Sequence, residues 1–221
     1  MITELVILGA VTGVIKYSSK DRKLSDHELM LGYKNLGVLR KPIIVNMKNT
    51  PHLMVCGLSG NGKTKMIEFA IKDKKCVLLN CFKEDFKNVD AKRIIGNDKI
   101  LAYLKGLLNS MKLRDQKSKP FYVVIDEMLV LCIDKEITKA IQDILAIGRH
   151  HSIFLIGISQ IGTKEAVKFK DMLNARVCFR QVEESSYRTI LGYSPENTQL
   201  KKREFYYYSN EVGKGKTYTI N

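Results

Sequence analysis

Three groups of residues in this chain carry side chains whose types and spacing could do chemistry together. The first is Gly57-Leu58-Ser59-Gly60-Asn61-Gly62-Lys63-Thr64, a glycine, four residues, then Gly-Lys-Thr. Its glycines let successive backbone N–H groups turn into one concavity, an anion nest. Lys63 adds a point charge for the β- and γ-phosphates of ATP, and the Thr64 hydroxyl can hold Mg2+. The second group is Asp126-Glu127. Beside a phosphate loop, the first carboxylate helps bind Mg2+ through water, and the second is placed to activate the attacking water as general base. The third is Gln160, an amide that at a nucleotide edge can sense the γ-phosphate or position water.

These groups need a scaffold, and the apolar pattern supplies one. Leu53, Met54, Val55 and Cys56 form a short buried-strand run before the glycine loop, and Met66, Ile67, Phe69, Ala70 and Ile71 follow it at helical spacing. Asp126 ends the apolar strand that begins at Phe121, and Gln160 ends the apolar strand over residues 152–159. Further strands are expected at residues 43–45, 76–81 and 176–180. Helices are expected over residues 100–111, over Lys135–Ile147 and from Tyr187 onward. Residues 82–97 read as loop with one short element. Ser25-Asp26-His27-Glu28 reads as a capping box opening a short helix, after which Gly32, Gly37 and Pro42 break the chain. Gly213-Lys214-Gly215-Lys216-Thr217 imitates the end of a phosphate loop. No apolar strand leads in and no helix pattern follows, so it reads as a decoy.

Composition narrows the partners. The chain has 221 residues, with 37 Lys and Arg against 23 Asp and Glu, a formal charge of +14. That excess favours an anionic partner, nucleic acid first and an anionic membrane surface second. Cys56, Cys76, Cys81, Cys132 and Cys178 include no Cys-x-x-Cys pair and read as reduced, buried thiols of a cytoplasmic protein. The adjacent His150-His151 pair lacks metal-ligand spacing. The apolar stretch at residues 5–15 is shorter than the ~20 residues of a spanning helix. It reads as a packing or oligomer-contact segment, with membrane association the alternative. The expected division is an N-terminal segment, 1–31, and one α/β domain, 32–221.

An ordered set of motifs resembles the motor domain of the FtsK/SpoIIIE family, in the FtsK–HerA group of P-loop ATPases. The set is Gly32-x4-Gly37, Pro42 and Pro51-His52-Leu53 ahead of the loop, then Lys83, then Met111-x2-Arg114. Gly148-Arg149 with Ser159-Gln160, then Asn174-x-Arg176 and Arg188-Thr189-Ile190-Leu191, complete it. The match covers about residues 32–192. Ser159 replaces the family's threonine and Ile161 its following proline; the family's membrane region and DNA-reading winged helix have no counterpart. The resemblance implies a RecA-like α/β fold, a mainly parallel sheet with helices on both faces. It also implies an ATP-hydrolysing hexameric ring around double-stranded DNA, with ATP at subunit interfaces. Arg149 would then complete a neighbour's site by neutralising the γ-phosphoryl charge, with Arg176, Arg180 and Arg188 as lesser candidates. Plasmid or transposon transfer and viral genome packaging are the two roles implied, each bringing a transfer or packaging machinery as partner. A nucleotide-dependent assembly switch is the alternative outside the motor class. The basic segments 112–119 and 201–203, with Lys214 and Lys216, are the candidate DNA contacts.

Overall fold

The computed structural model describes residues 23–160 and 169–218. The expectations for residues 5–15 and for Ile161 lie outside them. Ten strands form a single mixed sheet in the order β2-β1-β10-β9-β8-β3-β7-β6-β4-β5. The parallel run consists of β8 (Ala175–Phe179), β3 (Leu53–Cys56), β7 (Ile153–Ser159), β6 (Phe121–Ile125), β4 (Cys76–Leu79) and β5 (Lys92–Ile94). The other strands pair antiparallel: β1 (Glu28–Leu36), β2 (Leu39–Asn46), β9 (Glu204–Tyr208) and β10 (Val212–Lys216).

The central parallel strands β3, β7, β6 and β4 are apolar almost throughout because both of their faces are covered, whereas the edge strand β5 carries Lys92 and Arg93. Met54, Cys56, Val123, Ile125 and Leu155 face one core, closed by α2 (Asn97–Met111), α4 (Lys135–Ile147) and α5 (Glu184–Leu191). Leu53, Val55, Val124, Ile156 and Ile158 face the other, closed by α1 (Lys63–Ile71) and the β1–β2 hairpin. Each buried Val, Leu or Ile contributes roughly 1.5–3 kcal/mol. A one-residue slip would exchange the two faces of a strand, so the register is firmly set. The short α3 (Met128–Leu131) follows β6 directly. Asp134 caps α4 by accepting the N–H groups of Glu136 and Ile137.

The N-terminal part differs from expectation. Ser25-Asp26-His27-Glu28 does not open a helix. The Glu28 carboxylate accepts the Ser25 N–H at 3.0 Å, as a capping box would, but the Glu28 N–H returns to the Ser25 carbonyl and closes a turn. The chain leaves that turn as β1, in which Leu29, Leu31 and Tyr33 are buried at alternate positions while β2 pairs with the backbone. Tertiary pairing overrides the local cap signal here. Gly32 is not a breaker either: a Cβ there would lie 2.3 Å from the Lys216 carbonyl oxygen, so glycine is what lets β10 approach. The expected boundary between residues 31 and 32 falls inside β1. The decoy segment is β10, paired along its length with β9, and β9 itself was not anticipated from the sequence.

Candidate functional site

The cleft forms where β3, β6 and β7 end, the edge to which all the parallel strands point. Beyond β3, the Gly57 N–H donates to the Ser159 carbonyl and the Leu58 N–H to the Arg180 carbonyl, so the loop starts fixed to both neighbouring strands. Gly57, Gly60 and Gly62 have φ of 149°, 74° and 109°, the region that favours glycine. A Cβ on Gly57 would sit 2.5 Å from the Phe179 Cβ, whereas Gly60 faces open space. The Asn61 side-chain amide donates back to the Leu58 and Ser59 carbonyls. Gly62 ends the loop and α1 begins at Lys63, which brings the first helical N–H groups to the same concavity.

Lys63 is buried, and its ammonium donates to the carbonyls of Gly57 at 2.6 Å and Leu58 at 3.2 Å. Burial lowers its pKa, while Glu127 and Asp126 act to raise it. Asp126 sits one residue past β6, its N–H bonded to the Leu79 carbonyl and its own carbonyl accepting from the Asn80 amide. Burial, reinforced by the charge of Glu127, pushes the Asp126 carboxyl up to about 6. A divalent cation beside it would favour its charged form. Among the described residues no three His, Cys, Asp or Glu side chains are grouped to hold a metal. Thr64 and Asp126 would therefore share Mg2+ with phosphate oxygens and water, and the cation would supply neutralisation of phosphate charge. Glu127 follows in a left-handed conformation, φ 49°, and accepts a hydrogen bond from the Gln160 amide, so the tips of β6 and β7 meet through these two side chains.

The cleft that contains them has a volume of about 510 Å3. This is the size of a nucleotide pocket, and a phosphate-recognising loop forms its floor. Its wall also holds residues that the sequence did not place there: Lys202 and Arg203, which precede β9, and Thr217 and Tyr218, which follow β10. Lys202 and Arg203 were expected among the DNA contacts. The signal that could have found them was the decoy itself, a polar glycine-lysine strand whose end returns to the loop it imitates.

Arg149 is not in this cleft. It lies in the short helical turn Gly148–His151 that leads into β7, at the opposite edge of the sheet, beside Lys48, Gln116, Ser152 and Phe154. It therefore contributes nothing to this chain's own cleft. Arg114 holds that turn in place, its guanidinium donating to the carbonyls of His151, Lys119 and Ser152 at 3.0, 2.5 and 3.5 Å. The basic loop that carries Lys112, Lys117 and Lys119 enters β6 at the same edge. Arg176 packs over Tyr208 and donates to the Leu173 carbonyl, while Lys214 pairs with Glu204 at 2.8 Å. Arg180 lines a separate cleft beside α5, the helix that carries Arg188.

No family model and no curated protein matches the sequence. Solved structures do match. The pCW3 conjugation coupling protein TcpA, in its monomer form with ATPγS, aligns with a TM-score of 0.73 at 15% identity, over 91% of this chain and 67% of that one. The cytoplasmic domain of the type VII secretion ATPase EccC of Thermomonospora curvata aligns with a TM-score of 0.71 at 16% identity, over 91% and 30%. The genome-packaging NTPase B204 of Sulfolobus turreted icosahedral virus 2, in complex with ATPγS, aligns with a TM-score of 0.58 at 15% identity, over 79% and 100%. The chain shares the fold of these three proteins. At such identities the likeness concerns the fold, and the chain spans under a third of the secretion ATPase's cytoplasmic domain. Within that shared fold, the glycine loop of this chain follows β3 near the middle of the sheet and the paired carboxylates follow β6. No helix among the described residues is long and apolar enough to cross a membrane.

Proposed function

We propose that the protein is an ATPase that couples hydrolysis to movement of double-stranded DNA, working as a hexameric ring in conjugative transfer. The observation that carries the enzymatic part is the Glu127–Gln160 hydrogen bond at the end of a cleft floored by Lys63 and Thr64. Glu127 takes the proton of the attacking water and Gln160 holds the carboxylate in position. Lys63 and the loop N–H groups neutralise phosphate, and Thr64 and Asp126 hold Mg2+. The DNA part draws support from the net charge of +14 and the exposed basic loop at 112–119. A motor that passes over many sequences should contact phosphates rather than base edges.

A second reading, a genome-packaging ATPase, has its own observation: the chain spans the whole of the packaging NTPase but 67% of the coupling protein. The test is ATP turnover against unrelated duplexes of increasing length across a salt series. Turnover that rises with duplex length and falls steeply with salt supports a DNA motor. An assembled ring indifferent to DNA would leave only an ATP-dependent assembly switch.

A further inference from the structure

The wall of the cleft opposite Glu127 comes from the same chain, from residues that precede β9 and follow β10. Arg203 is its centre. Its N–H donates to the Asn61 carbonyl of the phosphate loop at 3.1 Å, and its Cγ would lie 3.5 Å from a Cβ on Gly62. Its Nε and Nη2 donate to the Thr217 hydroxyl and carbonyl, at 3.3 and 2.7 Å. Nη1 has no partner among the described residues, and the residue lines the cleft. Arg203 also has φ of 72°, a conformation an arginine holds only at a penalty of ~1–2 kcal/mol. Next to it Tyr218 lines the same cleft, its ring packed 5.0 Å from Phe69 and 5.1 Å from Tyr33.

The strand order gives the cleft a direction. On one side of β3 lie β7 and β6, which end at Gln160 and Glu127; on the other lie β8 and β9, and Arg203 immediately precedes β9. At ~4.8 Å per strand, the two flanks stand about 10 Å either side of the loop. A triphosphate that presents its γ-phosphate to Glu127 and its β-phosphate to the loop must continue toward Arg203.

We propose that Arg203 and Tyr218 form the nucleoside end of the cleft, with the guanidinium on the α-phosphate and the Tyr218 ring as a shelf for the base. This assignment rests on the nucleotide reading of the cleft and extends it. A guanidinium held on two sides presents a pre-oriented edge to a phosphate oxygen. An aromatic ring offers a face that any purine can stack on, without reading its edge.

The test measures affinity directly, by titrating ATP, ADP and inorganic tripolyphosphate with Mg2+ into the whole protein. The variants are Arg203→Gln, Arg203→Asn, whose side chain tolerates a positive φ, and Tyr218→Leu. Either Arg203 variant should weaken ATP, ADP and tripolyphosphate together by about tenfold, the scale of one charge-assisted contact. Tyr218→Leu should weaken ATP and ADP by a similar factor and leave tripolyphosphate unchanged. Thermal unfolding without ligand separates binding from packing. Lower melting with unaltered affinity in the Arg203 variants overturns the proposal, as does equal loss of all three ligands in Tyr218→Leu. Should the unsubstituted protein bind none of the three, the nucleotide reading fails first and this assignment goes with it.

Discussion

The two edges of the parallel strands share one sheet and the same two cores but differ in how they hold charge. At the edge where the strands end, Lys63 and Asp126 are buried, and the Asp126 carboxyl is pushed up to about 6 by burial and by Glu127. At the edge where they begin, Lys112, Lys117, Lys119 and Arg149 are exposed. Its organising side chain, Arg114, spends its donors on backbone carbonyls. One edge stores electrostatic tension that a bound cation and phosphate would relieve; the other is already satisfied. Substitutions should therefore trade stability against function at the first edge and affect the isolated fold or assembly at the second.

The largest effect expected is on turnover. Glu127→Gln should lower kcat by about 100-fold or more while ATP affinity stays within about threefold, since the amide cannot take the water's proton. Steady-state hydrolysis beside nucleotide titration checks this, and normal turnover would remove Glu127 from the general-base role. Gly57→Ala should be the most damaging to the fold, by about 2–4 kcal/mol, because the new methyl meets Phe179 at 2.5 Å. Chemical denaturation measures that loss.

Asp126→Asn should sharpen the contrast through pH. Burial holds the folded-state Asp126 carboxyl at about 6, above the ordinary aspartate range, so folding without a cation is penalised in full above about pH 6. The penalty fades as pH falls through 6 toward the unfolded value. At about pH 8 the variant should melt a few degrees higher than the unsubstituted protein and lose its Mg2+-dependent gain in nucleotide affinity; near pH 4 the melting difference should vanish. Melting curves at both pH values decide it, and a variant less stable at the higher pH would contradict the tension described for that edge.

At the other edge, Arg114→Ala should cost about 1.5–3 kcal/mol with nucleotide affinity unaltered, because it frees carbonyls far from the cleft. Arg149→Ala should change the isolated protein least, with stability within about 0.5 kcal/mol. Its effect should surface in assembled protein as lost hydrolysis that mixing with Lys63→Ala partly restores. Mixed assemblies without any rescue would count against a role between subunits.

The parallel half was legible because strands buried on both faces must be continuous apolar runs. LMVC, CVLL, FYVVI and IFLIGIS each stand out, and the phosphate loop and paired carboxylates sit at their ends. In the antiparallel half only the strand at residues 43–45, inside β2, was legible. EFYYY is rich in strand-favouring aromatics but was passed over, while VGKGK has a single apolar residue and owes its strand character to the partner opposite it. Glu28 shows the same limit: its carboxylate makes the capping contact, and sheet pairing decides the outcome. Arg203 was hidden for a second reason. Its place at the cleft depends on a left-handed backbone and a hydrogen bond to Asn61, and neither leaves a trace in residue type.

The pairing of Tyr33 in β1 with Lys216 in β10 sets a timetable for the molecule. These partners, like Asn61 and Arg203, are far apart in the chain, so closing the sheet carries a high loop-closure entropy. During synthesis the β1–β2 hairpin and the phosphate loop emerge early, yet neither can dock fully until β9 and β10 leave the ribosome. Until then one flank of β8 remains an open sheet edge, the kind of surface that recruits chaperones or invites misassembly. The nucleotide cleft is consequently among the last parts to mature, and a ribosome stalled before residue 203 would carry a nascent chain with the phosphate loop made but its wall missing.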